Sequence, residues 1–393
     1  MRDIFAGLRR VEVFLIRGST ENDNRSVTSL FIGGKDAAYQ FAHVSYSSVG
    51  TISSLGKLLS FQIDPLKLPA TDVKAVCMRG PLVSRFRTNG YLVLPCVDFG
   101  LDLRVPMTDI YERLSRRRRR DIKKLERYNY SYTICRSDDR DFDFFYWKMY
   151  FPFMTRRFGT GAIIRSYLRS KACYRDNGGI IFVKREKKPV AGILFQIRRK
   201  TLYALNLGVY EGNQDFIGDL AGQAALLFLI EWAKEKEVAT LNYGATTPFL
   251  SEGTLQYKRE WGMFVEAKMD QPFCMLGVSP MSENLLSFLV HNPFIFIDRG
   301  LVKAAVFVSH IPAEEELQRI CAKHFLPGLH SLVVLAYDGS LARPTSESVT
   351  NATTRAREIL PEPIVDVCRQ LRKRGCKVQI LEYTRIPKYR LGR

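Results

Sequence analysis

Four groups of residues in this 393-residue chain have the types and spacing to do chemistry. The first is the run SRRRRRDIKKL, from Ser115 to Leu125. At about 100° per residue, Ile110, Leu114, Ile122 and Leu125 share one arc of a helix over 108–128. Arg116, Arg119, Arg120 and Lys123 project away from that arc. They are either a set of phosphate contacts for a substrate or nucleic acid, or a solvated face. Arg118 and Asp121 fall inside the arc. A charge on an apolar face must be paired or must line a cleft. Two readings stand: an Arg118–Asp121 ion pair at i,i+3, or an Arg118 that binds an anionic cofactor. The second group is EGNQDFIGDLAG, which holds Gly212, Asp215 and Gly218. Asp215 reads as the cap of a helix running to about Lys236. A helix start offers unused N–H groups and partial positive charge to a pyrophosphate, and the two glycines allow close backbone approach. Asp215 and Asp219 oppose a phosphate there, so the alternative is an ordinary capped turn.

The third group is LNYGATTPF, a strand ending in Gly244. Tyr243 is a candidate general acid for a leaving group, or a hydrogen-bonded core tyrosine. Glu252 is the nearest carboxylate that could take a proton from an amine. The fourth is LQYKREWG, a short amphipathic helix with Trp261 in the core and Lys258 and Arg259 beside it. Arg259 joins the basic residues that could meet a substrate or nucleic acid. No G-x-S-x-G, H-E-x-x-H or P-loop pattern occurs, which disfavours the familiar hydrolases and NTPases. The eight cysteines contain no C-x-x-C, and the five histidines form no ligand motif, so the expected chemistry uses no metal.

Positioning these groups requires a folded core, and the composition supplies one: 46% hydrophobic, 25% charged. Lys and Arg number 59 against 40 Asp and Glu, a net charge of +19. Such an excess favours an anionic partner. No stretch has the length and apolarity of a transmembrane helix or a signal peptide, which predicts a soluble, cytoplasmic protein. Residues 1–105 read as strand-rich: VEVFLI, SVTSLFI, AYQFAHVSY, LLSFQI, KAVCM and GYLVLPCV. Residues 106–269 begin with a helix over 108–128, a second over Asp139–Phe158 that Pro152 should kink, and a third near Ser166–Arg175. Three strands then follow with tight turns: Gly179–Arg185, Val190–Arg198 and Thr201–Val209. The long helix from Asp215, a strand Val238–Tyr243, a short helix Gly253–Glu260 and a strand Gly262–Ala267 complete the block. Residues 270–393 read as a small α/β appendage. It has helices over Glu314–His324 and Pro363–Arg374, strands over Leu332–Tyr337 and Lys377–Glu382, and a polar segment over Ala342–Arg355.

The block from Leu103 to Ala267 resembles the GNAT-like acyltransferases, specifically the BioF2-like and FemAB-like branch. The resemblance rests on LRVPMTDIYERLSRRRRRDIKKLER, GIIFVKREKKPVAGILFQIRRKTLYALNLGV, AALLFLIEWAKEKEVATLNYGATTP and EGTLQYKREWG, in that order. It implies an α/β (α+β) fold with a mixed, mostly antiparallel central sheet flanked by helices. A tandem arrangement would make residues 1–105 part of a degenerate first copy. It also implies an N-acyltransferase whose donor is acyl-CoA (acetyl-CoA) or aminoacyl-tRNA. The acceptor would be an amine on a small molecule, peptide or protein. Lys258 matches the lysine that faces the transfer centre in the FemAB-like branch. An ammonium there would stabilise a tetrahedral oxyanion or hold a phosphate. One departure is visible. The Gln/Arg-x-x-Gly-x-Gly/Ala turn of acetyl-CoA-binding members is not matched by EGNQDFIGDLAG. The charge excess leans toward tRNA. The alternative is a non-catalytic nucleic-acid-binding protein, with LRKRGCKVQ and KYRLGR adding basic contacts.

Overall fold

The structure, a computed structural model, describes residues 10–20, 25–59, 63, 68–78, 90–93, 96–136, 138–159, 162–266, 273–278, 282–338 and 377–383. The expected polar segment Ala342–Arg355 and helix Pro363–Arg374 lie outside them. The chain opens with β1 (Arg10–Ser19), β2 (Ser26–Gly33), α1 (Lys35–Ser45), β3 (Ser48–Leu59), β4 (Val73–Met78), β5 (Gly90–Val93) and β6 (Val97–Asp102). Next come α2 (Met107–Arg113), α3 (Arg116–Leu125), β7 (Ser131–Cys135), α4 (Asp139–Phe144), a π-helical stretch (Phe145–Tyr150), α5 (Phe151–Phe158) and α6 (Tyr167–Arg175). The centre holds β8 (Gly178–Arg185), β9 (Lys188–Arg198), β10 (Thr201–Val209), α7 (Gln214–Gly218), α8 (Ala221–Glu235), β11 (Thr240–Thr246), α9 (Gly253–Glu260) and β12 (Phe264–Glu266). The rest is β13 (Phe273–Val278), α10 (Glu283–His291), β14 (Phe294–Asp298), β15 (Leu301–Val308), α11 (Glu314–His324), β16 (Ser331–Asp338) and β17 (Lys377–Tyr383).

These elements form two compact units. One comprises residues 1–97, 246–256 and 267–393; the other comprises 98–245 and 257–266. The first unit gathers residues from both ends of the chain and the short segment 246–256. The reason is pairing at long range: β13 pairs antiparallel with both β4 and β5. This unit holds a six-stranded sheet, β3-β1-β2-β4-β13-β5, and a four-stranded sheet, β14-β15-β16-β17. Phe14, Phe31, Phe41, Phe288, Phe294 and Phe307 share one apolar cluster within it. The segment AYQFAHVSY, expected as a strand, lies mostly in α1. Its buried residues Ala38, Phe41, Ala42 and Ser45 follow the i, i+3, i+4, i+7 spacing of a helix face.

The other unit is built on a seven-stranded sheet, β12-β6-β11-β10-β9-β8-β7. β7 to β10 form an antiparallel meander. The β8–β9 turn is two residues, Glu186 and Lys187, both left-handed at φ 51° and 67°. α8 buries ten residues, among them Leu226, Leu229, Ile230 and Trp232, and packs on the meander. The fold is therefore mixed α/β with mostly antiparallel sheets flanked by helices, as predicted.

Four local differences matter. The helix expected over 108–128 is broken at Leu114, and Ser115 Oγ caps α3 by accepting from Arg118 N–H at 3.2 Å. The Asp139–Phe158 helix is not broken by Pro152; the turn before it is wound as a π-helix. The long helix starts at Ala221 rather than Asp215, after a left-handed Leu220. β6 and β7 were not predicted; β7 is an edge strand with no fully buried residue, so its alternation is faint. Among the described residues, no helix is long and apolar enough to cross a membrane.

Candidate functional site

The sheet of the second unit parts at its middle. β10 and β11 run parallel but are registered only over Thr201–Tyr203 against Thr240–Asn242. β10 continues to Val209, held by β9 on its other edge. β11 continues past Tyr243, where Asn242 Oδ1 accepts from Gly244 N–H at 2.8 Å. Main-chain N–H and C=O groups beyond Tyr203 and Asn242 are thus not used between the two strands, and such groups seek partners. The β10 side is fixed by close packing. A Cβ on Gly208 would lie 2.6 Å from Tyr150 N and 2.7 Å from Met149 C, so only glycine lets the π-stretch sit flush on the strand.

Tyr243, the first residue of β11 beyond the register, stacks on Tyr257 at 6.1 Å. Tyr257 and Trp261 face the same way at i,i+4, 6.4 Å apart. The Arg118 guanidinium lies 4.6 Å from the Tyr257 ring and 6.0 Å from Trp261. Arg118 is buried, with its side chain 5% exposed, and two carboxylates meet its charge: Glu260 at 2.8 Å and Asp121 at 3.3 Å. The i,i+3 pair expected from the sequence is present, but Glu260, which was not expected, is the closer partner. The reading of Arg118 as an anion-binding residue is corrected accordingly, because a buried cation already matched by two carboxylates offers little net charge. Some donors around it remain unmet. Arg118 Nε and Arg259 Nη1 are buried with no hydrogen-bond partner among the described residues, while the Tyr257 hydroxyl faces both the Tyr243 phenol and the Trp261 indole. Burial pushes the Tyr243 phenol well above its ordinary range, with the adjacent Tyr257 phenol adding to the effect. Burial also raises Tyr257, against the opposing pull of Arg118. Both therefore keep their protons and present O–H donors. Arg157, on α5, acts on both phenols in the lowering direction, and no sequence signal marked it.

Lys258 is fully buried. Its Nζ donates to the carbonyls of Gly244 at 2.8 Å and Ala245 at 3.0 Å, and lies 5.3 Å from the Phe99 ring. It fastens α9 to the end of β11. Gly262, left-handed at φ 67°, ends α9 against Arg113, whose Cβ would be 2.7 Å from any Cβ placed there. Glu252, expected as a general base, is a helix cap in the first unit. It accepts from Thr254 N–H at 3.1 Å, from Leu255 N–H at 3.0 Å and from the Thr246 hydroxyl. Those bonds occupy both oxygens, so Glu252 is not poised to take an amine proton.

The expected phosphate cradle is also corrected. Asn213, not Asp215, caps the turn, accepting from Asp215 N–H at 2.7 Å, and α7 is only five residues long. Gly212 is buried against the Pro152 carbonyl and the Arg156 stem, each 3.0 Å from the place its Cβ would take. Gly218 borders open space at the end of α7. Arg259 is half-buried, and burial lowers its pKa. On α3, Arg116, Arg120 and Lys123 are exposed and Arg119 half-buried. Among the described residues none of these four has an ion-pair partner, whereas Arg117 reaches Glu260 at 3.6 Å.

No protein-family model matches the chain, and no curated protein matches it. Solved structures do. FemX aligns with a TM-score of 0.38 at 11% identity, covering 66% of this chain and 83% of that one. The L-PGS of Bacillus licheniformis aligns at 0.34 and 12%, covering 70% of this chain and 88% of that one. A GCN5-related N-acetyltransferase from Kribbella flavida aligns at 0.26 and 8%, covering 94% and 79%. Each of these alignments is partial, at low identity and low score.

Proposed function

We propose that this chain is an N-acyltransferase. It moves an acyl or aminoacyl group from aminoacyl-tRNA or acyl-CoA to an amine, without a metal ion, where β10 and β11 part. One observation carries the reading: two strands of one sheet separate beside Tyr243, next to the linked Tyr257 hydroxyl and Trp261 indole and the buried Arg118. Open strand edges can hold the amide-bearing arm of a donor by main-chain hydrogen bonds. Preorganised hydroxyl donors at such an edge suit a carbonyl oxygen that becomes an oxyanion.

The amine nitrogen attacks the carbonyl carbon, and a C–N bond forms as the C–S or C–O bond breaks. The Tyr243 hydroxyl gives its proton to the leaving sulfur or oxygen and takes one from the attacking nitrogen, so the step needs no separate carboxylate base. The Tyr257 hydroxyl supplies a donor to the oxyanion, and the Trp261 indole backs Tyr257. Arg118 positions Tyr257 through its ring contact, and Glu260 and Asp121 hold Arg118. Lys258 is a positioning residue that fixes the Gly244 and Ala245 carbonyls. The five-residue α7, with no glycine turn before it, weakens the reading for CoA. Exposed Arg116, Arg120 and Lys123 and the +19 charge favour the tRNA donor. Both donors occur in the cytoplasm, which is where this reading places the protein.

The test is a thermal-shift panel with acetyl-CoA, a long-chain acyl-CoA, aminoacylated tRNA and uncharged tRNA, followed by acyl transfer to amines. A shift by one donor class with transfer to an amine is expected; no shift and no transfer overturn the reading. The exposed cations of α3 also favour a second reading, a non-catalytic nucleic-acid-binding protein. It is distinguished by equal affinity for charged and uncharged tRNA with no loss of the aminoacyl ester.

A further inference from the structure

The same sheet carries a second feature at its opposite end, where β10 and β11 begin. A cavity of about 660 Å³ opens there. Ile134 and Ile197 give it an apolar wall, with the buried Trp232 and Val238 behind. Arg136, Arg199, Lys200 and Lys236 surround it, with Glu237 the single carboxylate in the lining. Among the described residues, none of these four cations has an ion-pair partner, and all four are exposed. Val238 and Tyr243 are five positions apart, roughly 16 Å of extended chain, so this cavity is distinct from the parted strands.

The rim is built rather than loose. The Lys200 carbonyl accepts from Ala239 N–H at 2.9 Å and Thr240 N–H at 3.2 Å, tying the β9–β10 turn to the connection between α8 and β11. That bond pair brings Arg199 and Lys200 next to Lys236 and Glu237. Arg199 and Glu237 are both left-handed, at φ 55° and 54°, an uncommon state for residues with a side chain. Arg136 is held by stacking: its guanidinium lies 5.3 Å from the Trp232 ring and 5.6 Å from Phe195. A Cβ on Gly179 would lie 3.1 Å from Arg136 Cγ and 2.7 Å from the Phe195 ring, so glycine at 179 makes room for the stack. A guanidinium fixed by its face keeps its N–H fork for a planar or tetrahedral oxyanion.

Four cations with no ion-pair partner among the described residues, around a wall formed by the half-buried Ile134 and Ile197, fit a ligand with a phosphate at one end and a flat ring at the other. We propose that this cavity binds a nucleotide, its phosphate on Arg136, Arg199 and Lys200 and its base on the apolar wall. The same chemistry comes from a free nucleotide or from one nucleotide of an RNA strand. The proposal does not rest on the acyl-transfer reading.

The test uses the full chain. ADP binding is followed by calorimetry and binding of a fluorescein-labelled 12-nucleotide single-stranded RNA by anisotropy, with phosphatidylglycerol-containing vesicles as a third arm. The variants are R199E/K200E and, separately, Arg136→Gln, each checked for an unchanged melting temperature. Binding of ADP, RNA or both by the wild type, weakened roughly tenfold or more by R199E/K200E, supports the proposal. If RNA is the source, the slope of log affinity against log salt falls by about 0.7 for each cation removed. ADP binding without RNA binding identifies the free nucleotide. The proposal is overturned if the wild type binds neither, if both variants bind as the wild type does, or if the charge reversal weakens only vesicle binding.

Discussion

The two ends of the seven-stranded sheet treat positive charge in opposite ways. Near the parted strands, Arg118 is buried and matched by Glu260 and Asp121, and Lys258 is buried on two main-chain carbonyls. At the other end, Arg136, Arg199, Lys200 and Lys236 are exposed and have no carboxylate partner among the described residues. Desolvation makes the difference. A cation taken out of water must be compensated where it sits, so it becomes part of the scaffold. A cation left at the surface costs nothing unmatched and is available to a ligand. An arginine run in a sequence therefore mixes two kinds of residue, and only burial sorts them.

The sharpest way to break this comparison is to unmatch Arg118. Glu260→Ala leaves a guanidinium buried with Asp121 alone, and the expected cost is about 3 kcal/mol in urea unfolding. Arg118→Met combined with Glu260→Gln and Asp121→Asn should recover much of that loss, because no charge is then stranded. A single substitution at Glu260 with no effect would mean that water already reaches Arg118.

Next in size is Tyr243→Phe. In a preparation that transfers acyl groups, turnover should fall about 100-fold with little change in melting temperature. Equal turnover would remove the phenol from the proton path. Lys258→Met should act on stability instead. It strands the Gly244 and Ala245 carbonyls, at a cost of about 2 kcal/mol. Loss of turnover would then follow loss of the β11 end rather than of a reacting group, and a pH–rate profile unchanged in shape would distinguish the two.

Much of the second unit was legible because its signals are local. The meander from Gly179 to Val209 and the helix Gly253–Glu260, whose last four residues belong to this unit, follow from alternation and turn residues over short spans. Arg118 stood out as a charge in an apolar pattern and Lys258 by its place in the motif that resembles the FemAB-like branch, and both are buried. What was not legible depends on contact at long range. Glu260 meets Arg118 across 142 positions only once α9 lies beside α3, as the Ser115 N–H bond to the Glu260 carbonyl at 2.9 Å shows. The break at Ser115 was hidden because a continuous helical wheel places Ile110, Leu114 and Leu125 on one side whether or not the helix is interrupted. α1 was misread since aromatic and β-branched residues in AYQFAHVSY favour a strand by type, while their burial follows a helical period. The basic cavity gave no signal: Arg136, Arg199 and Lys236 are far apart in sequence, and only the sheet gathers them.

The smallest expected effect tests the other half of the comparison. Arg116, Arg120 and Lys123 are exposed and have no ion-pair partner among the described residues, so replacing all three by Gln should change stability by less than about 0.5 kcal/mol per site. The sign at Arg116 should even be favourable. It lies in the first turn of α3, which has no acidic residue, and a cation there opposes the helix dipole by about 0.3 kcal/mol. Affinity for tRNA should nevertheless fall, and its dependence on salt should flatten by about 0.9 in slope for each duplex phosphate no longer neutralised. Unchanged stability with weakened tRNA binding would assign these residues to a ligand. A fall in stability as well would show that this face is scaffold after all, and that exposure alone does not separate the two kinds of cation.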